Sequence, residues 1–157
     1  MKVGEKGLAL IKESEGLRLK AYKCPAGVLS VGYGHTGKDV VAGMEISESR
    51  AVALLKQDLR VAEVYLNSLG INFSQNAFDA IASFIYNLGV GAFSKSTLRK
   101  KIVAKADDEA ITDEIVKWVN AGGKPLIGLK RRRVKEANLF LGKERYKVDV
   151  FGNIVKR

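Results

Sequence analysis

The sequence predicts an α+β chain, with a small antiparallel sheet near the N-terminus and a mainly helical remainder. Three observations predict it. Residues 18–34 alternate polar and apolar on either side of a turn signal, as a half-buried hairpin does. Residues 52–69 carry apolar side chains at 3-4-3-4-3 spacing, as one long amphipathic helix does. Beyond them, helical spacing recurs between glycine and serine punctuation. A chain of 157 residues can build one substantial core, or two small lobes sharing a connecting helix.

The first element is a helix over about residues 4–14, from the spacing of Leu8, Ile11 and Lys12. Gly16 is a natural stop, because glycine enters left-handed conformations without a Cβ penalty. Glu15 then sits at the negative end of the helix dipole. That end disfavours a carboxylate and raises its pKa, as suits a general acid. Glu13 is a competing acid that this local argument leaves open. The hairpin follows. Its strands are Arg18–Tyr22 and Val28–Gly34, joined by Pro25-Ala26-Gly27. A turn near Gly27 sets Cys24 opposite Ser30, ~5 Å apart. Ser30, Gly32 and Gly34 form a small-residue face that something can approach closely.

Ser47 is the N-cap of the long helix, whose stripe is Val52, Leu55, Leu59, Ala62, Leu66 and Leu69. Gly70 ends it. Ser74 caps the next helix, with Ala77, Ile81, Phe84 or Ile85, and Leu88 inward, and Gly89 and Gly91 at its end. Shorter helices are expected over about 96–104 and 107–120, the latter placing Trp118 in the core with Ile111 and Ile115. Residues 121–125 read as a loop and 128–141 as the last helix. The tail, 143–157, is either a small hairpin or partly ordered.

Glu15, Cys24 and Ser30, followed by Gly32-Tyr33-Gly34-His35, place an acid, a second ionisable group and a hydroxyl around one tight turn. This pattern resembles the catalytic segment of the phage-type lysozymes, the endolysins of glycoside hydrolase family 24. That family's pattern is Glu, eight residues, Asp or Cys, five residues, Thr, then Gly-x-Gly-His. Ser30 departs from the usual threonine but keeps the hydroxyl. The resemblance continues at 46–59, 84–89, 93–98 and 118–133, and so spans about residues 8 to 142. It implies a lysozyme-like fold: one lobe over about 13–60, a second over 70–142 with residues 1–12, and a long helix joining them.

The same resemblance implies hydrolysis of the β-1,4 bond between N-acetylmuramic acid and N-acetylglucosamine in peptidoglycan. Glu15 would protonate the leaving oxygen. Cys24, replacing the second carboxylate usual in glycosidases, would act on the opposite side of the sugar, with Ser30 holding water. A free thiol titrates near ~8.5, and Lys20 and Lys23 could lower that value. Inversion by single displacement is the expected outcome. Gly34, His35, Thr36, Tyr86, Asn87 and Thr97 are the implied saccharide contacts, His35 through its backbone. The His35 ring is expected to pair with Asp58 instead. The family also suggests that one of Arg131, Arg132 and Arg133 reaches Glu15.

A net charge of +10 suits an anionic partner: peptidoglycan with its carboxylates, or nucleic acid. The basic residues are scattered, and no nucleic-acid signature appears. The one dense run, Lys130 to Arg133, reads as a solvated helix face. A non-catalytic wall-binding or virion structural module is the alternative function. No apolar run approaches a membrane span, and the N-terminus does not read as a signal peptide. The protein is therefore expected in the host cytoplasm until a holin releases it to the wall in the periplasm. One cysteine excludes an internal disulfide. No cofactor or metal is expected, and the chain is read as a monomer.

Overall fold

Gly4 offers no side chain to cap the first helix, α1 (Glu5–Glu15). In the computed structural model, which describes residues 1–157, Asp79 supplies the cap from elsewhere in the chain. Its carboxylate accepts the Gly4 and Gly7 amides at 2.9 and 3.0 Å. Those are two of the donors that a helix start leaves unpartnered. Gly16, with φ +74°, turns the chain out of α1 directly after Glu15.

A three-stranded antiparallel sheet follows: β1 (Arg18–Lys23), β2 (Leu29–Gly32) and β3 (His35–Thr36). Its register corrects the expected pairing. Ser30 faces Tyr22, and Cys24 instead donates its amide to the Val28 carbonyl at 2.9 Å. The cause is a turn that closes between Cys24 and Val28, centred on Ala26 rather than Gly27; a separate slip in register follows further along, between Arg18 and Tyr22. There the Met44–Ile46 segment bonds the outer edge of β1, through Ala21 to Met44 and Ile46 to Leu19. With both edges occupied and no layer above it, β1 does not bury Leu19, which is 44% exposed.

The long helix, α2 (Glu48–Ser68), is capped by Ser47, whose hydroxyl accepts the Arg50 amide at 3.1 Å. Leu55, Leu59, Ala62 and Leu66 of the expected stripe are buried, joined by Ala51 and Leu54. Helix α3 (Gln75–Leu88), capped by Ser74, is buried without interruption from Ala77 to Ile85. It is the hub of the main hydrophobic cluster and packs against α1 and α2. Phe84 meets Phe93 and Trp118 edge-to-face, with centroids 6.2 and 5.5 Å apart. Burying such a ring stabilises by about 2–3 kcal/mol, with further gain from the edge contacts.

Beyond α3 the chain departs from expectation in three places. Gly91 does not end α3 but lies inside a short helix, α4 (Val90–Ser94). The two helices that follow are α5 (Thr97–Val103) and α6 (Asp108–Ile115). The second stops before Trp118, because Val119 and Asn120 leave for a tight hairpin, β4 (Asn120–Ala121) and β5 (Lys124–Pro125). Gly122 and Gly123 hold φ of +59° and +77° at its tip, the signature of a type I′ turn. Trp118 still packs on the main cluster. The last helix, α7 (Ile127–Leu141), lies along α3, and the tail forms the hairpin β6 (Tyr146–Val148) and β7 (Ile154–Lys156). The third departure is the basic run. Arg132 and Arg133 on α7 are buried, not solvated, because they face α3 and the end of α1. No helix is long and apolar enough to cross a membrane.

Candidate active site

The end of α1 brings Glu15 against α7 and the turn between β2 and β3. Its carboxyl accepts from Arg132 Nη1 at 2.6 Å. On its other side is Gly34, with φ +84°; a Cβ there would stand 3.0 Å from Glu15 Oε1. Only glycine permits this approach, since the backbone is left-handed and the space is already taken. Gly32 differs, because its free space is filled by Ala51 of α2. Of the small-residue face, then, Gly34 serves the carboxyl and Gly32 serves packing. The competing acid, Glu13, is exposed and pairs with Lys135 at 2.6 Å.

Glu15 lines a cleft of about 400 Å³ together with Gly34, Thr36, Asp58, Tyr86 and Asn87. A second hollow, of about 610 Å³, continues on the α7 side and shares Glu15 and Asn87 with the first. An acid shared by two adjoining hollows can meet an extended ligand on both sides. Tyr86 Oη donates to the Tyr33 carbonyl at 2.6 Å. Burial, with the charges of Glu15 and Asp58, pushes its phenol well up, so it remains a donor. Asn87 Oδ1 accepts from Arg133 Nη2.

Cys24 and Ser30 do not line this cleft. They lie one strand further out, and β2 pairs Ser30 with Thr36, which does line it. Ser30 is buried. Cys24 is half-buried at the end of β1. Hydrogen bonds to its sulfur from the Val28 and Ala26 backbone, with a smaller contribution from the Ser30 hydroxyl, lower its pKa. The expectation that Lys20 and Lys23 lower it is corrected. Neither contributes, and Lys20 turns to Glu45 at 4.0 Å. Thr97 is exposed in the first turn of α5, outside the cleft lining.

The His35 ring is fully engaged. Nδ1 meets Asp58 Oδ2 at 2.7 Å and Nε2 meets Asp39 Oδ2 at 2.8 Å. Only its backbone can face a ligand. Asp39 had no signal in the sequence beyond its i, i+4 distance from His35. Of the three arginines expected near Glu15, Arg132 is the one that reaches it; the largest omission is the pair behind it, Glu136 and Ser83. The spacing of Arg132 and Glu136 was the available signal, since residues four apart face each other on a helix. No group of three or more His, Cys, Asp and Glu side chains could hold a metal ion.

Comparison with known proteins gives consistent matches. A sequence model of the family described as Phage lysozyme matches residues 12–136. An endolysin of Acyrthosiphon pisum secondary endosymbiont phage 1 is 43% identical over 145 residues, covering 89% of this chain and 98% of that one. The solved endolysin from Escherichia coli O157:H7 phage FAHEc1 is similar with a TM-score of 0.82 and 34% identity, over 90% of this chain and 94% of that chain. The muramidase domain of SpmX from Asticaccaulis excentricus is similar with a TM-score of 0.82 and 34% identity, over 89% and 97% of the two chains.

Proposed function

We infer the reaction from one premise, that the chain belongs to the phage lysozyme family. The protein is a glycoside hydrolase of the lysozyme type, an endolysin that hydrolyses peptidoglycan. The bond we assign is the β-1,4 linkage between N-acetylmuramic acid and N-acetylglucosamine. The observation that carries this assignment is the carboxyl of Glu15, held at the cleft between Arg132 and the bare backbone of Gly34.

Glu15 donates its proton to the glycosidic oxygen as that bond breaks, and the leaving sugar departs as an alcohol. Water adds to the anomeric carbon from the other face, its second proton passing to the Cys24 thiolate. Ser30 orders that water. Two separated groups acting on opposite faces give inversion. The lowered pKa of Cys24 supports its role as base. Thr36, Tyr86 and Asn87, with the backbone of Gly34 and His35, hold the saccharide, and Thr97 holds it further out. The positive net charge draws the enzyme to the carboxylates of the wall. We further propose a monomer with two lobes, 13–60 and 70–142 with residues 1–12, that waits in the host cytoplasm for a holin. It needs no cofactor.

Mass spectrometry of digested peptidoglycan tests the reaction. Fragments ending in reducing N-acetylmuramic acid are expected. Anhydro-sugar ends, or cleavage at the other glycosidic bond, would overturn the assignment. Product anomers followed by NMR test the stereochemistry, and net retention of the β configuration would rule out inversion.

A further inference from the structure

Behind Glu15 lies a ring of four buried side chains. Arg132 and Arg133 extend from α7, Glu136 stands one turn further along, and Ser83 faces them from α3. Glu136 Oε2 accepts from Ser83 Oγ at 2.6 Å and from Arg132 Nε at 3.3 Å. Arg133 Nε lies 3.1 Å from Glu136 Oε1. Arg132 Nη2 donates to the Ser83 carbonyl and hydroxyl at 3.2 and 3.3 Å. Its Nη1 is thereby aimed outward at Glu15.

The ring is poorly explained as a device for stability. Glu136 and Arg133 are wholly buried, and Arg133 Nε and Nη1 and Glu136 Oε1 have no well-aligned hydrogen-bond partner. Burying charges in that condition costs about what their attraction returns. Its effect on Glu15 is clearer. The cluster holds two guanidiniums and two carboxyls, and Arg132 is shared between the carboxyls. Burial raises the pKa of Glu136 and lowers that of Arg133, each against the pull of its partner. Arg132 Nε at 3.3 Å and Arg133 Nε at 3.1 Å both face the Glu136 carboxyl, so a neutral Glu136 would leave two buried cations to Glu15 alone.

We propose that Glu136 is a positioning residue, which holds Arg132 and shares its charge so that Glu15 can keep the proton it delivers. The proposal rests on Glu15 as the acid. The other charged or titratable groups around Glu15 do not do this work. Tyr86 on α3 is neutral and turned to the Tyr33 carbonyl. Asp58 on α2 is bound to His35. On α1 itself, Glu13 is tied to Lys135, and Lys12 lies over the Tyr33 ring.

The test is the pH dependence of kcat/KM on purified peptidoglycan. In Glu136→Gln, Arg132 and Arg133 lose their compensating anion and bind the Glu15 carboxylate more strongly. The alkaline limb should move to lower pH by about one unit, the scale set by an opposite charge at close range. Activity on the acid side should be retained. Arg132→Gln should move the limb the other way. Ser83→Ala removes a donor that favours the Glu136 anion, and should shift it down by less. That variant carries the test if Glu136→Gln fails to fold by circular dichroism. A limb that stays in place in the folded variants, with activity lowered evenly at all pH, would overturn the proposal. Glu15→Gln separates the two levels. If it stays active, the assignment of the acid fails. If it is inactive while the limb does not move, only the role of Glu136 fails.

Discussion

The Nδ1 atom of His35 lies 2.7 Å from Asp58 Oδ2, inside the wall of the cleft. Asp39 engages the other ring nitrogen at 2.8 Å. Burial lowers the proton affinity of the ring, but the two carboxylates outweigh it and the His35 pKa is raised. Stability from this cluster is therefore fully present below the unfolded value of 6.5 and lost as pH rises through the folded value. The hydrogen bond to His35 lowers the pKa of Asp39. That share is present above the ordinary aspartate range and lost as pH falls through the folded value. His35→Asn should cost about 2–3 kcal/mol near pH 5, as for hydrogen bonds between charged groups, and clearly less near pH 9. Thermal unfolding at both pH values measures this. Equal costs would show that the pair carries no charge.

Cys24 gives a second pH dependence, this time in activity. The thiolate is the proposed base, so rates should climb as pH rises through the lowered thiol pKa. Cys24→Ala should lose about 100-fold or more in kcat, the usual size of a general-base contribution. Cys24→Asp should keep most activity. Its acid limb should also move down, since a carboxylate titrates well below a thiol. An alanine variant with full activity would remove Cys24 from the mechanism.

These features differ in how well the sequence displayed them. The α2 stripe and the Ser47 and Ser74 caps were legible because helical spacing and capping act within a few residues. The His35–Asp58 pair was legible because each stood out alone: a single histidine, and a carboxylate beside an apolar stripe. The strand register was not. The turn closes between Cys24 and Val28, one residue before its expected centre, and so sets Ser30 opposite Tyr22; no local pattern encodes that choice. Arg132 and Arg133 looked like a solvated run because the groups that bury them come from α1 and α3, far away in sequence. Long-range partners turn an apparent surface charge into a buried one, and periodicity cannot report them.

Gly34 can be separated from an ordinary left-handed glycine. Gly34→Ala strains a backbone at φ +84° and drives a methyl group to 3.0 Å from the Glu15 carboxyl. Gly70→Ala incurs similar strain at φ +66° with nothing within 4 Å. Both should lose about 1–2 kcal/mol of stability. Only Gly34→Ala should also lose at least about tenfold in kcat, by displacing the acid. Unfolding midpoints and initial rates on peptidoglycan decide it. Equal activity in the two folded variants would show that the close approach has no catalytic role.

Asp79 links the fold to the site through the length of α1. Its carboxylate accepts the Gly4 and Gly7 amides and a Gln75 side-chain donor at 2.8 Å, and it is buried. It also complements the positive end of the α1 dipole. Asp79→Asn removes the charge and replaces one acceptor oxygen with a donor that faces backbone N–H groups. The expected loss is about 2–3 kcal/mol, because buried amides lose a charged acceptor. Glu15 rides on the opposite end of the same helix, so a frayed start should also lower kcat modestly with KM unchanged. Hydrogen exchange would show the fraying directly, as lost protection at Gly7 and Leu8. Unchanged protection and an unchanged melting temperature would mean that α1 holds its position by packing on α3 alone.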